Sequence, residues 1–175
     1  MLLAATFALA ALAADPPGSA VPAESLSGRT GVTGELRLHR DMRSGSDDGL
    51  LPRSVSVWLP PGYDHRLHAA RRYPVLYMHD GQNVFDPASA FLGREWHADE
   101  VATEMIRRGW VEPMIIVGIW NTPDRVADYT PDQDLQEARG DGKPHGRGGH
   151  GERYLRWIVN DLKPFIDATY RTRPG

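Results

Sequence analysis

Pro74-Val75-Leu76-Tyr77-Met78-His79-Asp80-Gly81-Gln82-Asn83 is the stretch on which the fold turns. Its first half is a continuous apolar run, the pattern of a strand buried on both faces rather than on one. Its second half is polar and contains glycine, as a strand-to-helix connection does. A second such run, Met114-Ile115-Ile116-Val117-Gly118-Ile119, follows about 40 residues later. Between the two, Trp96, Val101, Ala102, Met105 and Ile106 recur at helical spacing. Gly109 then stands as the C′ residue, with Arg107 and Arg108 in the last turn where the helix dipole favours cations. Strand, helix, strand predicts a right-handed βαβ crossover and so an α/β fold with a mostly parallel sheet.

Outward from this unit toward the N-terminus, Val32 to His39 alternates with period two, and so does Ser54 to Leu59. The turn-forming run Ser44-Gly45-Ser46-Asp47-Asp48-Gly49 separates them, which predicts an antiparallel hairpin leading into the sheet. Residues 15–31 are rich in Pro, Gly, Ser and Ala and read as a linker. Met1 to Ala14 is apolar, too short to span a bilayer, and ends near the A-x-A pattern Ala11-Leu12-Ala13. It predicts a signal peptide and a secreted or periplasmic protein, although no Lys or Arg precedes Arg29 to form a basic n-region; a buried helix is the alternative. The domain itself is expected over residues 32–175.

Toward the C-terminus, residues 120–151 are polar and Gly-rich, a length of loop that is usually functional. Tyr154, Leu155, Ile158, Leu162, Phe165 and Ile166 then form an apolar stripe with Pro164 inside it, which predicts a broken ladder near 160–164. A sheet with two buried parallel strands normally continues with a further strand after its last helix. The sequence reads as truncated before that strand.

Composition bounds the chemistry. The chain has 175 residues and a net charge of −3, with 25% charged and 41% hydrophobic residues, close to a globular average. Its 18 glycines and 14 prolines predict long, turn-rich connections. A mildly acidic total offers no footprint for nucleic acid or an anionic membrane. The absence of cysteine removes disulfides, thiolate metal sites and a Cys nucleophile together. The run Gly146 to Gly151 satisfies G-x-G-x-x-G, but neither a strand at once before it nor an acidic residue ending a next strand accompanies it, so no dinucleotide site is expected. The five-residue spacing of His145 and His150, beside Asp141, does not fit metal-ligand spacing, and these residues read as a solvated loop. Asp132-Gln133-Asp134 lacks the glycine and glutamate of a calcium loop. Neither a metal nor another cofactor is expected.

In α/β folds, ligands sit at the carboxyl ends of the strands, so His79 to Asn83 is either a substrate loop or an ordinary turn with Asp80 and Asn83 bonding local backbone. His79 itself reads as a hydrogen-bonded structural residue.

The segments Arg53 to Tyr63, Arg72 to Asp86, Glu95 to Glu100, Val117 to Thr122, Arg125 with Asp128 to Pro131, and Leu162 to Thr172 together resemble the putative-esterase family of α/β-hydrolases. That family includes feruloyl and acetylxylan esterases, enterochelin esterases, S-formylglutathione hydrolases and mycolyltransferases. The resemblance spans roughly residues 53–173. It implies an α/β-hydrolase fold and a serine carboxylic-ester hydrolase acting on a carbohydrate- or small-alcohol-linked ester. It also implies a nucleophilic Ser in G-x-S-x-G, followed by Asp/Glu and His. None of the eight serines here lies in that motif, so the triad is expected beyond Gly175 and this chain is expected to be inactive alone. The resemblance matches Gln82 to the backbone oxyanion donor and Asp80 to a residue facing the substrate. Asn83, Trp96 and Trp120 complete the expected substrate-binding set. The other class of function is a non-catalytic carbohydrate-binding or interaction module using Trp96, Trp120 and the 120–151 loop. No nucleic-acid partner and no stable membrane insertion are expected, and the oligomeric state is not legible.

Overall fold

The computed structural model describes residues 23–46, 48–131 and 149–173. Met1 to Ala14, residues 15–22 of the 15–31 stretch, Asp132 to Asp134, Asp141 and His145 lie outside the described residues.

Among the described residues, five strands form one mixed sheet in the order β1-β2-β3-β5-β4. The strands are β1 (Glu24–Ser25), β2 (Glu35–Met42), β3 (Arg53–Leu59), β4 (Val75–His79) and β5 (Ile115–Ile119). The hairpin expected from the two alternating runs is present: β2 and β3 are antiparallel, with Leu36 opposite Trp58 and Leu38 opposite Ser56. Its first strand starts later than the alternation suggested, at Glu35, and a bulge lies between His39 and Met42. Packing begins earlier than Val32, because Glu24 and Ser25 pair with β2 and Leu26 is buried.

Strands β4 and β5 are parallel, with Tyr77 opposite Val117, and α1 (Ala98–Arg107) lies between them in sequence. Gly109 has φ +70° directly after the capping residue Arg108, as a C′ glycine should. Trp96 precedes this helix, and Val101 faces solvent.

The alternation of β3 and β5 splits the core into two layers. Val55, Val57, Leu59, Ile115, Val117 and Ile119 face Tyr154, Trp157, Leu162 and Ile166 on one side. Trp58 and Ile116 face Val84, Phe85 and Ala102 on the other. Strand β5 is buried along its whole length, as its apolar run predicts. Strand β4 is not: it is the edge of the sheet among the described residues, and Leu76 is 45% exposed. A continuous apolar run reports that both faces are apolar, and does not report whether the strand has two neighbours. Beyond β4, the only pairing among the described residues is a parallel bridge from Tyr73 to Thr172.

Helix α2 (Arg125–Asp128) is a single turn. The last helical stretch is broken as expected: α3 (Gly151–Trp157) passes through a π turn at Ile158–Leu162 into α4 (Lys163–Thr169). Lys163 N–H donates to Ile158 O, five residues back. The buried stripe is Tyr154, Trp157, Leu162, Ile166 and Tyr170; Leu155 is exposed. No helix among the described residues is long and apolar enough to cross a membrane.

Candidate active site

Where β4 ends, the chain makes a sharp left-handed step at Asp80 (φ 54°, ψ 41°) into a short 3₁₀ turn, Gly81–Asn83. Glycine is required at position 81 because the loop lies directly on β5. A Cβ there would overlap the Gly118 carbonyl, and Gly118 meets Gly81 from the other side. Two glycines therefore let the loop cross the carboxyl end of the neighbouring parallel strand at backbone contact.

The loop is then clamped to the segment after β5. Asp80 Oδ1 accepts from Asn121 Nδ2 (2.7 Å), Arg125 Nε (2.8 Å) and the Tyr129 hydroxyl (3.2 Å). Asp80 Oδ2 accepts from Arg125 Nη2 (2.7 Å), and the Asp80 N–H donates to the Tyr129 oxygen (3.3 Å). This is a two-pronged guanidinium–carboxylate pair, the strongest geometry such a pair adopts. The Arg125 hydrogen bonds, with help from Asn121 and Tyr129, pull the Asp80 carboxyl down to about 2. Arg125 also lies over the Tyr129 ring, 5.0 Å from its centre. Asn121, Arg125 and Tyr129 recur every four residues, a spacing that could have marked them as one group in the sequence; no role was read there for any of them.

Gln82 contributes its side chain to the same clamp, its Oε1 accepting from Asn121 N–H at 3.1 Å. Its carbonyl accepts from Ser89 Oγ at 2.7 Å. Asn83 spends its side chain on the loop itself: Oδ1 accepts from Phe91 N–H at 2.8 Å, and its carbonyl accepts from Trp96 N–H at 2.7 Å. Trp96 is thereby tied to the loop by its backbone while its ring is half exposed. Trp120 sits at the end of β5 with its indole N–H on Ser56 Oγ at 2.7 Å. It lines a surface cavity of about 380 Å³ with Arg53, Ser54, Asn121 and Thr122 among others. Asp80, Gln82, Asn83 and the backbone of Trp96 are thus one connected unit, with Trp120 beside it on the β3 side.

Beneath the site lies a buried charge network that carried no sequence signal. Arg53 and Asp128 pair at 3.1 Å with side chains each 1% exposed. Arg53 stacks over Tyr154 at 4.7 Å and Trp157 at 5.1 Å. His150 is buried beside Asp128, 3.7 Å away, and not solvated as its Gly-rich context suggested. His79 Nδ1 is 2.8 Å from the Tyr154 hydroxyl, a structural contact. Together these fix α2 and α3 against β3, and with them the segment that holds Arg125.

Comparison with known proteins agrees with this architecture. A family model described as "Putative esterase" matches residues 51–175. Among solved structures, the chain resembles an IroE-like serine hydrolase from Shewanella oneidensis with 29% identity and a TM-score of 0.55, over 79% of this chain and 40% of that one. It also shares its fold with the BES protein from Bacillus cereus, at 21% identity and a TM-score of 0.54, over 81% of this chain and 51% of that one. The chain spans about half or less of the length of these structures. The mixed sheet with its flanking helices is therefore that of an α/β-hydrolase-type fold, and the chain belongs to the putative-esterase family.

Proposed function

We propose that this chain supplies the oxyanion-holding half of a serine carboxylic-ester hydrolase whose substrate is a carbohydrate- or small-alcohol-linked ester. The observation that carries this is the Asp80–Asn83 loop, anchored on Gly118 and Arg125 at the carboxyl end of two adjacent parallel strands. Ester hydrolysis by this route needs Ser Oγ to attack the carbonyl carbon while His takes the proton and Asp/Glu holds the His. Two backbone N–H groups receive the negative charge that develops on the carbonyl oxygen. Gln82 N–H, in the first turn after β4, is the donor assigned to this chain. Asp80, Asn83, Trp96 and Trp120 border the place where the alcohol portion of the ester would lie. The nucleophile and its partners are assigned to a segment outside these 175 residues, since no serine here stands in G-x-S-x-G.

The expected result is that the purified 175-residue chain hydrolyses p-nitrophenyl acetate no faster than a heat-treated blank. Saturable turnover blocked by a serine-directed phosphonate would place the nucleophile among the residues given and overturn the division of labour. The apolar Met1 to Ala14 segment supports export with cleavage near Ala13. Exported protein whose N-terminus still begins at Met1 would contradict that reading.

A further inference from the structure

Immediately after the clamped loop, the chain brings Glu95, His97 and Glu100 together at the start of α1. One ligand atom from each lies within 4.8 Å of the others. His97 Nδ1 is 3.6 Å from Glu95 Oε1 and 3.6 Å from Glu100 Oε1. Donors bound tetrahedrally about 2.0–2.1 Å from a zinc-sized ion stand about 3.4 Å from one another, so both His97 distances are already near that spacing and the two carboxylates, within 4.8 Å of each other, have to draw together to share one ion.

Clustered carboxylates on a surface often mean nothing more than solvation, but Glu95 is not solvated. Its side chain is 3% exposed, and its Oε2 is buried with no hydrogen-bond partner. A carboxylate placed this way is costly unless a cation neutralises it. His97 and Glu100 are open to solvent on the other side, which leaves a path in and a position for water.

We infer that Glu95, His97 and Glu100 form a binding site for one divalent transition-metal ion of the zinc class. An imidazole nitrogen with two carboxylates, and three protein donors rather than six to eight oxygens, disfavours calcium and magnesium. The ion would join the loop to α1 at a defined place. Trp96 N–H donates to Asn83 O, and Ala98 N–H donates to Val84 O at 3.2 Å, so the segment carrying Glu95 and His97 is already hung on the 80–84 loop. Metal binding would brace the half-exposed Trp96 between two of its ligands. The sequence spacing E-x-H-x-x-E gives no hint of this, because Glu95 and His97 lie outside the helix and are aimed by the left-handed turn at His97 (φ 55°).

The test is titration of zinc chloride into the chelator-treated 175-residue chain at neutral pH, followed by calorimetry and by melting temperature. One ion should bind per chain, saturably, and should raise the melting temperature. His97→Ala, an exposed substitution that leaves the core untouched, should weaken binding at least about tenfold and abolish the melting shift. Glu95→Gln should do the same, and His145→Ala should change neither. Absence of saturable binding, binding that survives His97→Ala in folded protein, or binding lost in His145→Ala would each overturn the assignment.

Discussion

Asp80 holds a left-handed backbone conformation that costs an ordinary L-residue about 1–2 kcal/mol, and it does so beneath four donors to its carboxylate. The donors keep the loop in that shape, and their hold depends on the carboxylate being charged. Because the folded-state pKa lies near 2, below the ordinary 3.8, the stabilisation is fully present above about pH 4 and fades as pH falls through 2. Arg125 is half exposed, so solvent screening reduces its share to about 1 kcal/mol. Arg125→Ala should lower the unfolding free energy from urea titration by that amount at pH 7, and its gap from the parent should narrow as pH falls toward 2; a gap constant with pH would show that charge is not what holds the loop. At Gln82 the role assigned is the backbone N–H, and the side chain serves only the bond to Asn121. In an enzyme that also carries the nucleophile, Gln82→Ala should keep most activity. Gln82→Pro removes the donor and should lower kcat by about 10²–10³. Hydrolysis within a few-fold of the parent by a normally folded Gln82→Pro variant would move the oxyanion donor elsewhere.

The π turn at Ile158–Leu162 has two candidate causes on the same stretch. Pro164 cannot donate, which leaves the Asn160 carbonyl without its i+4 partner and favours a break here. The buried stripe also steps by five residues from Trp157 to Leu162 and by four thereafter, to Ile166 and Tyr170. A continuous α-helix from Trp157 would turn Asp161, not Leu162, toward the β3–β5 face. Packing is the stronger term, since Leu162 and Ile166 are wholly buried and truncating such a side chain costs about 2–5 kcal/mol. Pro164→Ala should therefore leave stability within about 1 kcal/mol and keep the wide turn. A gain of about 3 kcal/mol or more in the unfolding free energy from urea titration would make the proline, and not the stripe, its cause.

At the scale of the whole molecule, what sequence reading recovers is what local patterning encodes. The β2–β3 hairpin follows from period-two alternation, β5 from its unbroken apolar run, and the end of α1 from Gly109. The hydrogen-bonded partners of Asp80, the pairing of Arg53 with Asp128 and the grouping of Glu95, His97 and Glu100 are invisible to it. Each depends on which way separate segments turn after they pack, and single charged residues at polar positions look like solvated surface until then. The place of β4 at the edge of the sheet, among the described residues, is not legible for a related reason, because neighbours in a parallel sheet come from distant sequence. The Tyr73–Thr172 bridge shows how distant: Arg72, next to Tyr73, already reaches the Thr172 carbonyl 100 residues away. That separation imposes an order in time. During synthesis β2 and β3 emerge close together and can zip at once, while β4 must wait for almost everything in this chain before its outer side begins to close. Residues 171–173 reach only as far as Tyr73, and Leu76 stays 45% exposed with them in place, so the outer side of β4 is an adhesive surface both while the chain is being made and after they arrive.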